Sequence, residues 1–100
     1  MTEVRNDPAQ HRYEVIEDGE LAGFAAYQEV AGSRIVFTHT EVDPKFEGRG
    51  LGTVLVKGAL DDARDREQLI VPICPFVAKY VHRHPEYVPF LDERIRKAFE

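Results

Sequence analysis

Between Arg12 and Glu17 polar and apolar residues roughly alternate, the period-two pattern of a strand with one buried face. Asp18-Gly19 tolerates the positive φ angles of a tight hairpin turn, so a return strand is expected from Leu21 to Val30, with Phe24 and Tyr27 among small residues and Gly23 marking a bulge. Ala31-Gly32-Ser33 makes a second turn into a third strand, Arg34 to Val42. Strict alternation there sets Ile35, Phe37, His39 and Glu41 on one face and Val36, Thr38, Thr40 and Val42 on the other.

After Asp43-Pro44 the period changes. Leu51, Val54, Leu55, Gly58, Ala59 and Ala63 recur at helical spacing in a segment ending near Arg66, the longest helix expected. Gln68 to Ile73 is short, apolar and β-branched, as expected of a strand buried on both faces and parallel to the strand before the helix. Pro75 suits the first turn of a second helix, whose inward stripe would be Phe76 or Val77, Tyr80, Val81 and His84 before Pro85 ends it. Val88, Leu91, Ile95 and Phe99 again fit helical spacing. Residues 1–10 are polar and include Asn6-Asp7-Pro8, which reads as a flexible lead-in, leaving residues 11–100 as a single domain. The fold class expected is α+β: an antiparallel meander, one β-α-β unit and C-terminal helices.

Composition narrows the function. With 13 basic against 18 acidic residues the formal charge is −5, and no basic run occurs, which disfavours nucleic acid. No apolar run approaches the roughly 20 residues a spanning helix needs, so no membrane role is expected. The lone cysteine, Cys74, cannot form an intrachain disulfide, and the first residues lack an apolar signal core; a reducing, cytoplasmic setting is expected. The small size leaves monomer and homodimer both open. The histidines and Cys74 lack a recognised metal spacing, so no metal is expected.

The chemistry-bearing feature is Glu47-Gly48-Arg49-Gly50-Leu51-Gly52-Thr53, between a strand and a helix. Amides converging on a helix N-terminus make an anion site, here fit for a pyrophosphate, and Arg49 and Thr53 could add side-chain donors. The spacing differs from the dinucleotide fingerprint Gly-x-Gly-x-x-Gly, and the Gly-Lys-Ser/Thr of a Walker phosphate loop is absent. Alone, the turn is equally readable as a tight strand-to-helix connector.

The segment Val42-Asp43-Pro44-Lys45-Phe46-Glu47-Gly48-Arg49-Gly50-Leu51-Gly52-Thr53-Val54-Leu55 resembles the cofactor motif of GCN5-related N-acetyltransferases, Gln/Arg-x-x-Gly-x-Gly/Ala, and departs from it at Glu47. Phe37-Thr38-His39-Thr40-Glu41-Val42 and Cys74-Pro75-Phe76-Val77-Ala78-Lys79-Tyr80-Val81-x-x-His84-Pro85 extend the resemblance to the minimal YidJ-like subgroup, over roughly His11 to Tyr87. The resemblance implies a fold without the superfamily's early helices and with splayed parallel strands. It further implies acetyl-CoA as cosubstrate and an amine acceptor of unknown identity. Pantetheine would lie between the splayed strands, pairing with backbone near Thr40 to Val42, and the thioester would end near Cys74.

Candidates for the transfer step follow. Tyr80 resembles the superfamily's tyrosine that protonates the leaving sulfur, and its alternative role is a core tyrosine. Cys74, just before a helix N-terminus, is either an acyl-accepting nucleophile or a buried thiol. His39 and Glu41, two residues apart, are candidate bases for the incoming amine, and a structural hydrogen bond is the competing role. Lys79, Arg83 and His84 could approach the 3′-phosphate or adenine. Three readings result: an N-acetyltransferase, an acyl-CoA-binding or sensing module with little turnover, and an interaction domain whose glycine turn only connects.

Overall fold

The computed structural model describes all residues, Met1–Glu100. Five strands form one sheet in the order β1-β2-β3-β4-β5: β1 Thr2–Asp7, β2 Arg12–Glu17, β3 Glu20–Val30, β4 Arg34–Val42 and β5 Leu69–Pro72. The first four pair antiparallel as a meander. Helix α1, Leu51–Asp65, crosses one face and returns the chain so that β5 pairs parallel to β4. Asp18 and Gly19 take positive φ at the β2–β3 turn, as the sequence led us to expect.

Residues 1–10, expected to be a lead-in, are corrected to an edge strand and a short 3-10 turn. Strand β1 pairs with β2 from Thr2↔Glu17 to Asp7↔Arg12. Its polar side chains misled the pattern because the strand meets the helix through little more than Val4. Asn6 accepts from the Tyr27 hydroxyl at 2.7 Å and ties the strand to β3.

The core lies between the sheet and α1. Tyr13, Val15, Ala25, Tyr27, Ile35 and Phe37 meet Leu55, Val56, Ala59, Leu60 and Ala63. The stripe differs from expectation in that Val54 points outward while Val56 and Leu60 are buried. Tyr13 keeps a hydroxyl inside by donating to Asp62 at 2.6 Å.

Two departures reshape the functional end of the sheet. Ala26 pairs with His39 but Tyr27 pairs with Phe37, so Thr38 is an extra residue, a β-bulge. Beyond it the side-chain parity inverts. Thr40 now shares the helix-facing side with Ile35 and Phe37, because it pairs with Ala25 two residues from Tyr27. His39 and Glu41 turn to the opposite face, which corrects the expected common face with Phe37. The second departure is that β4–β5 pairing stops at Phe37↔Pro72, and the strands splay beyond.

Helix α2 spans Pro75–Arg83. Its buried residues are Val77, Tyr80 and Val81, whereas Phe76 is exposed, which settles the inward choice on Val77. The final segment is corrected from a helix to 3-10 turns at Pro85–Phe90 and Arg96–Phe99. Pro85 and Pro89 remove amides that an α-helix would use. Between the turns Leu91 bridges to Ile70, and Asp92 takes Arg34 at 2.8 Å, so this segment covers the outer edge of β5. Strand β5 is buried on its Ile70 face, while Leu69 and Val71 on the other face are only half-buried.

Gly58 is where α1 rides closest to β1. A Cβ there would lie 2.9 Å from the Val4 Cβ and Cγ1. In an open helix Gly→Ala gains about 1 kcal/mol. Gly58→Ala is instead expected to lose about 1–3 kcal/mol by overpacking. Urea unfolding checks this, and Val4→Ala should cost less in the Gly58→Ala background than in the wild type. A stabilised Gly58→Ala protein would mean that β1 does not press on the helix.

Candidate functional site

Strand β4 runs into a short 3-10 turn, Pro44–Phe46, started by the Asp43 side chain accepting from the Lys45 amide at 2.9 Å. Phe46 is buried and anchors the chain before Glu47-Gly48-Arg49-Gly50. Gly48 and Gly50 adopt φ of +83° and +71°, a region that side-chain-bearing residues enter at a cost, and nothing stands within 4 Å of where their Cβ atoms would be. The turn therefore needs glycine for its backbone angles and also leaves open space above them.

Gly50 is the N-cap of α1, no side chain caps the helix, and the first turn holds no acidic residue. The amides of Leu51, Gly52 and Thr53 thus face outward without carbonyl partners, at the positive end of a 15-residue helix. They line a hollow of about 290 Å³ that Val42, Phe46 and Phe76 close with apolar surface and that Glu47 also borders. Arg49 does not line it; its guanidinium lies over the Phe46 ring, 5.4 Å from the centroid. Thr53 reaches both this hollow and the next.

A second hollow of about 270 Å³ lies between α1 and α2, lined by Thr53, Phe76, Lys79, Tyr80, Arg83 and His84. The residues expected near a 3′-phosphate are thus gathered in one place, with two formal cations and no carboxylate among them. Phe76 is the partition between the two hollows: a Cβ on Gly52 would stand 2.8 Å from the ring's Cζ. The sequence reading missed this role. The signal was present, since Phe76, Lys79, Tyr80 and Arg83 follow one another at the spacing of a single helix face.

Where β4 and β5 part, the Cys74 amide donates to the Phe37 carbonyl at 2.8 Å, and the Thr40 hydroxyl meets the Cys74 sulfur at 3.3 Å. Cys74 is buried at 3% exposure. Past this contact β4 has no strand on its α2 side, so its edge is open toward the first turn of α2. Thr40 and Val42 of the expected cofactor set stand on this edge, and the two hollows continue from it along α2.

Tyr80 is 8% exposed and stacks on His84 at 4.1 Å between centroids. Burial raises its phenol above the ordinary value, with the Lys57 charge and the Tyr87 hydroxyl pulling the other way. Behind it Tyr87 donates to Asp61 at 2.5 Å, and Lys57 donates to Asp61 at 2.8 Å. His39 and Glu41 form a pair at 3.2 Å, both well exposed, on the face away from α1. The bulge therefore brings Thr40 to Cys74 and takes His39 and Glu41 to the other side of the sheet.

Residues 12–90 match the family model described as GCN5-related N-acetyl-transferase. Protein NATD1 of Gallus gallus is 31% identical over 84 residues, which are 83% of this chain and 76% of that protein. Streptothricin acetyltransferase of Streptomyces lavendulae is 46% identical over 50 residues, 49% of this chain, so the match spans only 26% of the relative's length. A GCN5-like protein of Staphylococcus aureus, solved by NMR, superposes with a TM-score of 0.67 at 20% identity, covering 90% of this chain and 87% of the other. The ribosomal-protein-S18-alanine N-acetyltransferase of Escherichia coli superposes with a TM-score of 0.54 at 25% identity, over 59% of this chain and 38% of that one.

All four tyrosines, Tyr13, Tyr27, Tyr80 and Tyr87, have phenols raised above the ordinary value, by burial first in each case. A raised acid is neutral in the fold, so this contribution to stability is whole below about pH 10, the unfolded value, and is lost as pH climbs toward the folded values. Tyrosinate absorbance of the native protein should rise at higher pH than that of the urea-unfolded chain, and urea stability should fall above about pH 10. A quarter of the full amplitude appearing with a midpoint near 10 would show one phenol free to ionise as in water.

Proposed function

The chain belongs to the GCN5-related N-acetyltransferase family, and on that footing we propose that it transfers an acetyl group from acetyl-CoA to an amine. The observation that carries this reading is the uncapped start of α1 beside a cationic hollow and the open edge of β4, adjoining one another with Phe76 between the hollows. The residues fit the donor. Free amides at Leu51 to Thr53 suit a pyrophosphate, and Lys79 and Arg83 suit a further phosphate. Glu47 is exposed, so its repulsion is about 1 kcal/mol at 4 Å in water, against about 1.5–3 kcal/mol for each charge-assisted hydrogen bond.

Backbone of Thr40 to Val42 on the open edge of β4 is available to pair with the amides of an extended arm, as an added strand would. Net, an ammonium and the thioester give an amide, a free thiol and one proton. Tyr80, held protonated by its surroundings, supplies the proton to the departing sulfur. The ammonium must lose a proton before its nitrogen attacks, and the His39–Glu41 pair on the opposite face takes it across the gap where β4 and β5 part. Cys74, with Thr40 at 3.3 Å, is the alternative acceptor of the acyl group; its burial favours direct transfer. One feature favours a binding module with little turnover, namely the carboxylate Glu47 at the cradle's border. A lone cysteine without a disulfide partner suits a reducing compartment, which supports a cytoplasmic setting.

Acetyl-CoA at about one hundred times its dissociation constant should stabilise the fold by about 2.7 kcal/mol, read as a rise in melting temperature. Absence of any rise would overturn donor binding. With an amine panel, Tyr80→Phe should lower thiol release by about 10²- to 10⁴-fold while the melting rise persists. Cys74→Ser should remain within a few-fold of the wild type. Loss of turnover in Cys74→Ser, with an acetyl adduct on the wild-type thiol, would replace direct transfer by the covalent route.

A further inference from the structure

The two edges of the sheet are treated differently. Beyond β5 lies the Leu91–Asp92 segment, which covers that side, whereas β1 has β2 as its only strand neighbour. The Met1 carbonyl accepts from the Asp18 amide at 2.9 Å, which sets the alternation of the β1–β2 ladder. Glu3, Arg5 and Asp7 therefore bond back to β2, and the N–H and C=O groups of Thr2, Val4 and Asn6 point away from the sheet. Such a row is a template for another strand.

Charged side chains commonly guard an edge of this kind. Here their order along the strand matters. Val4 lies against α1 at Gly58, so its neighbours Glu3 and Arg5 stand together on the opposite face. Glu3 is exposed and makes no hydrogen bond or ion pair. Arg5 gives its Nε to Glu14 at 3.2 Å, yet its side chain is 58% exposed and its terminal nitrogens are free. The edge thus presents an unpaired acid and a partly used base on one face.

Two identical edges meet antiparallel about a two-fold axis normal to the sheet. Both copies of α1 then lie on the same side, and residues standing opposite each other come from the same face. Pairing centred on Glu3 would set Glu3 against the partner's Glu3. Centred on Arg5, it would set Arg5 against the partner's Arg5 and Glu3 against the partner's Asp7. Both oppose like charges, which is destabilising. Centred on Val4, the pairing sets Glu3 against the partner's Arg5 on both sides of the axis, and Thr2 against the partner's Asn6. This register engages every outward backbone group from Thr2 to Asn6, and Pro8, which has no N–H, lies beyond its end.

We propose that β1 pairs with β1 of a second copy in this register, joining two protomers through one continuous sheet. Val4 is only half-buried by its own helix, and Val54, one turn before Gly58 on the same flank of α1, is 42% exposed. The two copies bring these valines together as a short apolar strip over the ladder. The seam is one strand long, so the dimer is a weak, concentration-dependent one. Strands β2 and β3 separate it from the open edge of β4, which stays uncovered in the dimer.

Sedimentation equilibrium between about 1 μM and about 1 mM should show the monomer passing into a dimer. Over that range, amide hydrogen exchange should slow at Val4 and Asn6 and stay unchanged at Glu3 and Arg5, whose amides are already bound to β2. Glu3→Arg should raise the dissociation constant about tenfold, and Arg5→Glu likewise, since each alone opposes like charges across the axis. An equimolar mixture of the two variants should regain wild-type association, because acid again meets base on both sides. Glu3 makes no contact that the fold uses, so Glu3→Arg should melt as the wild type does at low concentration. Should Arg5→Glu fold poorly for want of its contact with Glu14, Glu3→Arg and the exchange pattern decide the matter alone.

A chain that stays monomeric to about 1 mM would overturn the pairing and leave the edge to a strand of another protein. A dimer in which Val4 and Asn6 exchange as in the monomer, or a Glu3→Arg protein that associates as well as the wild type, would overturn it equally.

Discussion

One unpaired residue, Thr38, sets the geometry on which the rest depends. Without it, β4 would keep a single parity from Arg34 to Val42, and the polar end of the strand would carry His39 and Glu41 toward the helix. With it, Thr40 is turned to Cys74 and the two titratable side chains are turned away. The hydroxyl of Thr38 reaches the Ala26 carbonyl at 3.4 Å, close to the limit of a hydrogen bond. Pairing with β5 ends next to this bulge, so the strand acquires an open edge where its two faces diverge in chemistry.

A sheet of this size has two faces and this chain has one long helix. The face under α1 is filled by aromatic and aliphatic side chains. The other is kept from being a bare apolar surface by charge: Glu14 is 3% exposed yet bound by Arg5 at 3.2 Å and Arg12 at 2.8 Å. A buried carboxylate of this kind is tolerated because both partners are in place. At the far edge Asp92 performs the same service against Arg34, on a segment that proline prevents from being helical. The uncovered face is thus polar by construction and leaves Phe24 and Leu21 accessible beside Glu41.

Much of this was legible in the chain. Alternation located β2, β3 and β4, the positive-φ turn joined them, and the glycines before an apolar period located the start of α1. What escaped did so for identifiable reasons. Strand β1 is an edge whose side chains are mostly solvated, so it has no apolar period to read. A bulge inserts one residue without changing composition, so the facing of His39 and Glu41 was invisible. The Val88 to Phe99 spacing was helical in apolar positions alone, while Pro85 and Pro89 ruled on the backbone. The cradle was found from glycine geometry, but the inward residue of α2 stayed open between Phe76 and Val77, because two adjacent apolar residues fit one helical stripe about equally well. The support behind Tyr80, Asp61 with Tyr87, joins residues 26 apart in sequence and has no local signature.

Phe76 carries a thermodynamic consequence of its own. The ring stands against Gly52 and borders two hollows that otherwise run together. A ligand confined to the cradle leaves the ring in place, whereas one long enough to thread both hollows meets it. The affinity of the longer ligand is then discounted by the fraction of molecules whose ring already stands aside.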